Sequence, residues 1–96
     1  MYNVRFISNP RIIIFNDDER IDLNVSDLPD VILKTIDYCV CNRETVLKAY
    51  IHLSHEANLV TVHVVTWDGI GVMRKEYQFD GDTGKLAHDW TITDSI

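Results

Sequence analysis

No apolar run in this chain approaches the roughly 20 residues that a membrane-spanning helix needs, so the sequence offers no such span. Positive charge is scarce: nine Lys and Arg stand against fifteen Asp and Glu, for a net charge of −6. A domain of that sign repels a phosphate backbone, which disfavours general nucleic-acid binding. Cysteine is limited to Cys39 and Cys41. On a helix these two point to nearly opposite sides, and on a strand they share a face. Neither arrangement staples a long loop, so a disulfide scaffold is excluded. Reduced thiols in a reducing compartment, the cytoplasm, are the expectation. Residues Met1 to Ile7 do not form a charged leader ahead of an apolar stretch, so no secretory signal is expected.

Apolar residues make up 46% of the chain and charged residues 25%, which argues for a folded domain and against disorder. Residues 1–96 are read as one α+β domain with one modest core. Val46 to Ser54 alternates, His55 to Asn58 breaks the pattern, and Leu59 to Trp67 alternates again. Asp68-Gly69 then separates two apolar runs, a strong signal for a two-residue hairpin turn. Val72 to Phe79 and Lys85 to Ile92 supply two more strands around Asp80 to Gly84. Near the start, Val4 to Ser8, a turn at Asn9-Pro10, Arg11 to Phe15, a polar turn over Asn16 to Glu19, and Arg20 to Val25 read as a second, smaller meander. Ser26 or Asp27 can cap a helix with Pro29 in its first turn, where a missing N–H is harmless. Leu28, Ile32, Ile36 and Cys39 form its apolar stripe. A competing helical reading starts at Asn42-Arg43-Glu44 and runs to Glu56, but unbroken alternation from Leu47 to Ser54 favours a strand. The predicted fold is α+β and two-layered: a mostly antiparallel β-meander sheet packed on one main helix at about residues 28–40.

A four-residue loop after Ser54 pairs Leu53 with Val60, Ile51 with Val62 and Ala49 with Val64 on an apolar face beneath the helix. His52 then meets Thr61, Tyr50 meets His63 and Lys48 meets Val65 on the outer face. A two-residue Asp68-Gly69 turn sets Val64 opposite Met73, Val60 opposite Tyr77, His63 opposite Arg74 and Thr61 opposite Glu76. Lys75 falls on the apolar parity. It is expected near an edge, or with a buried stem and a free head.

The Tyr77-Gln78-Phe79-Asp80 and Thr83-Gly84-Lys85-Leu86 segments resemble the closing hairpin of PepSY-type small α+β domains, over about ten residues. The likeness consists of common turn chemistry and no function is carried over from it. Other motifs are equally sparse. Asp80-Gly81-Asp82-Thr83-Gly84 looks like a truncated calcium loop whose twelfth position, Thr91, is not an acid. Cys39-Val40-Cys41 has no second ligand pair for zinc. Gly69-Ile70-Gly71 lacks the third glycine of a dinucleotide site. No cofactor and no metal site is expected.

The polar constellation that remains lies on the outer face. Trp67, Tyr50 and Arg74 are candidate anchors for a protein partner, because aromatics and Arg dominate interface energetics. His52 and His63 lie among them, and Asp17, Asp18 and Glu19 are candidate steering charges. Turn acids on two loops sharing one edge would form a negative rim. The expected function is that of a small acidic cytoplasmic protein-binding module, not an enzyme. It would inhibit or neutralise another protein stoichiometrically, as an immunity protein or a phage-encoded blocker of a host system does. The expected partner is a protein with a basic surface. One alternative is a ligand-binding or acid–base enzyme pocket of His52, His63 and Glu76. Another is a self-associating structural protein, for instance a homodimer that pairs sheet edges.

Overall fold

Six strands form one sheet in the order β2-β1-β3-β4-β5-β6 among residues 4–41 and 43–94, which the computed structural model describes. Met1 to Asn3 and Asn42, the last of these a candidate cap above, lie outside the described residues. The strands are β1 (Arg5–Asn16), β2 (Glu19–Leu23), β3 (Thr45–Ser54), β4 (Leu59–Trp67), β5 (Val72–Asp80) and β6 (Leu86–Asp94). One helix, α1 (Asp30–Cys39), packs on one face, so the fold is α+β and two-layered. No helix among the described residues is long and apolar enough to cross a membrane.

Residues 43–56 hold a strand, not the competing helix. The β3–β4 register is the expected one from Lys48–Val65 to Ser54–Leu59. Above it, Leu47 is bulged out, so Val46 pairs with Thr66 and takes the fully buried core position.

The first 25 residues are not a separate meander. β1 is one continuous strand running parallel to β3 and wedged between β2 and β3. Asn9-Pro10 does not reverse the chain. Phe6 pairs with Val46 and Arg11 with Lys48, so Ile7 to Pro10 oppose Leu47 alone. That bulge absorbs a left-handed Asn9 (φ 57°) and a proline that has no N–H to donate. Parallel neighbours need a long crossover, and β2, a 3-10 turn at Val25–Asp27 and α1 supply it.

The helix is shorter than predicted. Asp27 belongs to the 3-10 turn, and Pro29, extended at ψ 147°, is the N-cap without a side-chain hydrogen bond. Its carbonyl accepts from the Ile32 and Leu33 amides at 3.1 and 3.0 Å. Ile36 and Cys39 of α1 close over Ile14, Val46, Ala49, Ile51, Val62 and Val64. Burial holds the Cys39 thiol up at about 12, although nearby Lys75 opposes that shift.

The Asp68 turn also differs from the expectation. The β4–β5 loop spans four residues, because the Asp68 carboxylate accepts from both the Ile70 and Gly71 amides at 2.9 Å. Those bonds hold the Asp68 carboxyl below its ordinary range. Trp67 therefore pairs with Val72, and the register moves by two residues. Parity survives, but partners change: Val64 faces Lys75, Val62 faces Tyr77, His63 faces Glu76, Val65 faces Arg74 and Thr61 faces Gln78.

Lys75 corrects the expectation of a free head. It is buried on a strand with neighbours on both sides, and its ammonium pairs with the Glu44 carboxylate. Glu44 also accepts from the Cys41 amide at 2.6 Å and from Thr66 Oγ1 at 2.8 Å. Lys75 Nζ reaches the Cys39 carbonyl at 3.5 Å. Burial resists ionisation of Glu44, and the bonds from Lys75, Cys41 and Thr66 outweigh it, so its carboxyl sits below the ordinary 4.5.

Removing one member leaves the other charge uncompensated in the core. Lys75→Met should lower unfolding free energy by about 3–5 kcal/mol in urea melts at neutral pH, and Lys75→Met with Glu44→Leu should recover part of that loss. Single variants within about 0.5 kcal/mol of the parent would contradict a buried ion pair. The lowered Glu44 carboxyl contributes stability that is present above 4.5 and fades as pH falls through its folded-state value. Acid unfolding should therefore be blunted in Glu44→Gln relative to its own neutral stability.

Candidate interaction face and its acidic rim

The outer sheet face has no helix over it among the described residues. Alternation sends Tyr50, His52, Thr61, His63 and Glu76 to this side, opposite the α1 layer. Tyr50 and His63 meet edge to face at 6.2 Å, and Phe15 stacks on His52 at 4.5 Å and 14°. The second contact exists because β1 lies beside β3, with Phe15 in register with His52. Ile13, on the same face, is only 1% exposed, so the middle of the layer is filled even without a helix.

The hairpin loops after β1, β3 and β5 all emerge at one end of the sheet. Hydrogen bonds join them. The Asp17 amide donates to Leu53 O at 3.0 Å, and the His55 amide donates to Asp17 Oδ1 at 3.2 Å. His55 Nε2 lies 3.0 Å from Asn16 Oδ1 and 3.8 Å from Asp17 Oδ2. The Gly81 amide donates to Asn58 O at 2.8 Å. At Gly81 a Cβ would sit 2.4 Å from Asn58 Oδ1 and 3.0 Å from the Asn58 carbonyl oxygen, so a larger residue would turn the Asn58 side chain away and ease the two loops apart. The result is a row of acids, Asp17, Asp18 and Glu19, then Glu56, then Asp80 and Asp82, along one edge.

Phe15, Asp17, Asp18, His52, His55 and Glu56 share an open depression of about 510 Å³ where this rim meets the outer face. Asp80 is occupied within its own turn. Its Oδ1 accepts from the Thr83 and Asp82 amides at 2.9 Å, which holds its carboxyl below the ordinary range. The calcium-like spelling of this segment is thus a turn cap. Among the described residues no cluster of three or more His, Cys, Asp or Glu is arranged to hold a metal ion. The side chain of Thr91 lies outside the described residues.

The candidate residues fall into two groups. Tyr50 and His63 meet in the middle of the face, His52 lies in its acidic half against Phe15, and Asp17, Asp18 and Glu19 border that half. Trp67, 47% exposed, lies at the other end, where it pairs with Thr45 and Val72. Arg74 stands near it, opposite Val65. Thr45 and His52 are separated along β3 by about 20 Å. Three residues absent from the predicted set belong to the first group: Phe15, His55 and Glu56. No short-range signal marks them, because each depends on β1 and β3 being parallel neighbours.

No family model, no curated protein and no solved structure matches this chain.

The two thiols differ in access. Cys41 is exposed and Cys39 is buried with a raised pKa. A disulfide-exchange reagent at pH 8 should modify one thiol per chain in the native protein and a second only on unfolding. Equal rates for both would contradict the placement of Cys39 under α1.

Proposed function

We propose that this protein works by binding another protein, without catalysis, through the acidic half of its outer sheet face. What supports the reading is one juxtaposition: stacked and edge-on rings (Phe15 with His52, Tyr50 with His63) beside two loops that carry Asp17, Asp18 and Glu56. Rings supply contact energy at low conformational cost, and a one-sign rim steers a partner of opposite sign. The partner is therefore a protein with a basic surface. A stoichiometric inhibitor or antidote acting in the cytoplasm fits an acidic chain with two free thiols. Trp67 and Arg74 join the interface where the partner's footprint runs the length of β4.

One observation favours a second reading. The register brings Glu76 opposite His63, which gives that histidine a carboxylate neighbour for acid–base work in a small ligand-binding or enzymatic site. His52, however, is exposed on the same face, and the binding reading uses all the rings. Self-association through the outer strands is the third reading, and light scattering separates it from both.

Affinity capture from the native source, followed by mass spectrometry, should return one partner at equal stoichiometry whose retention falls with salt. With that partner in hand, Tyr50→Ala or His52→Ala should weaken binding tenfold or more, chiefly through faster dissociation. Asp18→Lys with Glu56→Lys should slow association about tenfold at low salt and much less at ~1 M salt. Unchanged kinetics in all of these variants would refute this face as the interface.

A further inference from the structure

The α1 layer carries a second opening, on the opposite side of the sheet from the rings of the proposed interface. The helix covers its layer unevenly. Ala49, Ile51, Val62 and Val64 are fully buried under it, whereas Leu53 and Val60, farther along the same strands, and Phe79 on β5 are only partly buried. A helix of ten residues spans about 15 Å, against about 30 Å for strands of nine or ten. Between α1 and the β5–β6 hairpin this leaves an open groove of about 680 Å³, within the size range of small-molecule sites.

Its floor is apolar: Ile32, Leu53, Val60 and Phe79. Tyr38, 63% exposed, forms one wall by standing edge-on to Phe79 at 5.8 Å, and Val31, 67% exposed, lies on the helix side. The charged side chains lining it are Lys34, Lys85 and Asp80. The Asp80 carboxylate is already bonded to two amides of its own turn. The two ammonium groups make no ion pair among the described residues. In a chain of net charge −6, a groove lined by two lysines and one occupied acid is a local reversal of sign.

We infer that this groove binds a single-chain alkyl carboxylate, with the chain on Ile32, Leu53, Val60 and Phe79 and the carboxylate at Lys34 and Lys85. An apolar trough with basic groups at its lip matches the two halves of such a molecule.

Titration of the full chain with octanoate, decanoate and dodecanoate below their micelle concentrations, followed by calorimetry, tests this. One-to-one binding is expected, strengthening about fourfold per added methylene. Lys34→Gln with Lys85→Gln should weaken dodecanoate about tenfold, and Val31→Glu should abolish binding. All three positions are exposed, so melting temperatures should hold. Dodecyltrimethylammonium should bind far more weakly than dodecanoate. No saturable binding, no dependence on chain length, or equal affinity for the cationic amphiphile would overturn the inference. So would light scattering that shows a dimer dispersed by Val31→Glu in a chain that ignores dodecanoate, since a second copy would then fill the groove.

Discussion

The buried pair between Glu44 and Lys75 is the constraint on which the rest of this structure depends. Two charges in a core are tolerated only when each finds an opposite charge and its remaining hydrogen-bonding capacity is met. Here the Cys41 amide, the Thr66 hydroxyl and the Cys39 carbonyl meet it. Those groups come from the turn after α1, from β4 and from the end of α1, and Lys75 itself comes from β5. One polar cluster therefore ties the helix to the middle of the sheet.

The same cluster discriminates between registers. With the observed four-residue loop, Lys75 faces Val64, one same-face step from Thr66. With a two-residue Asp68-Gly69 turn it would face Val62, about 7 Å farther along β4, and its charge would lack the Glu44 partner. The register that satisfies the core also decides the outer layer, where it brings Glu76 to His63. The positions of the outer-face candidates are thus inherited from a contact on the other side of the sheet.

Much of this was legible in the sequence where the signals were local. Alternation through β3 and β4 and a four-residue break between them gave the correct pairings from Lys48 to Ser54, and with them the Tyr50–His63 contact. Leu47 escaped because a bulge leaves no trace in an alternating pattern that continues on both sides of it. The Asp68-Gly69 spelling predicts too short a turn, because it hides the side chain whose two bonds to Ile70 and Gly71 lengthen the loop. Asn9-Pro10 spells a turn equally well, yet here the pair sits inside a strand as a bulge. The parallel pairing of β1 with β3 has no local signature, since it is a long-range outcome of helix docking. Phe15 and the acidic rim went with it: each acidic loop was visible, but not their shared end. Lys75 was the most informative misfit. An ammonium on apolar parity implied a compensating charge, and Glu44, in a segment torn between helix and strand, was not identifiable as its source.

Three surfaces follow from this arrangement. A helix that covers only part of one layer leaves the groove beside it; the hairpins stack their acidic loops at one end; the opposite layer keeps His52 exposed and Phe15, Tyr50 and His63 half-buried. Each is a consequence of one short helix on a six-stranded sheet among the described residues, in which the core is anchored by charge as well as by packing. The most direct test of that anchor is heteronuclear NMR of the Lys75 ammonium and the Glu44 carboxyl in the intact chain. Ammonium protons protected from exchange and a carboxyl that titrates below 4.5 are expected. A Lys75 ammonium exchanging as fast as those of surface lysines, with Glu44 titrating at or above that value, would contradict the buried pair.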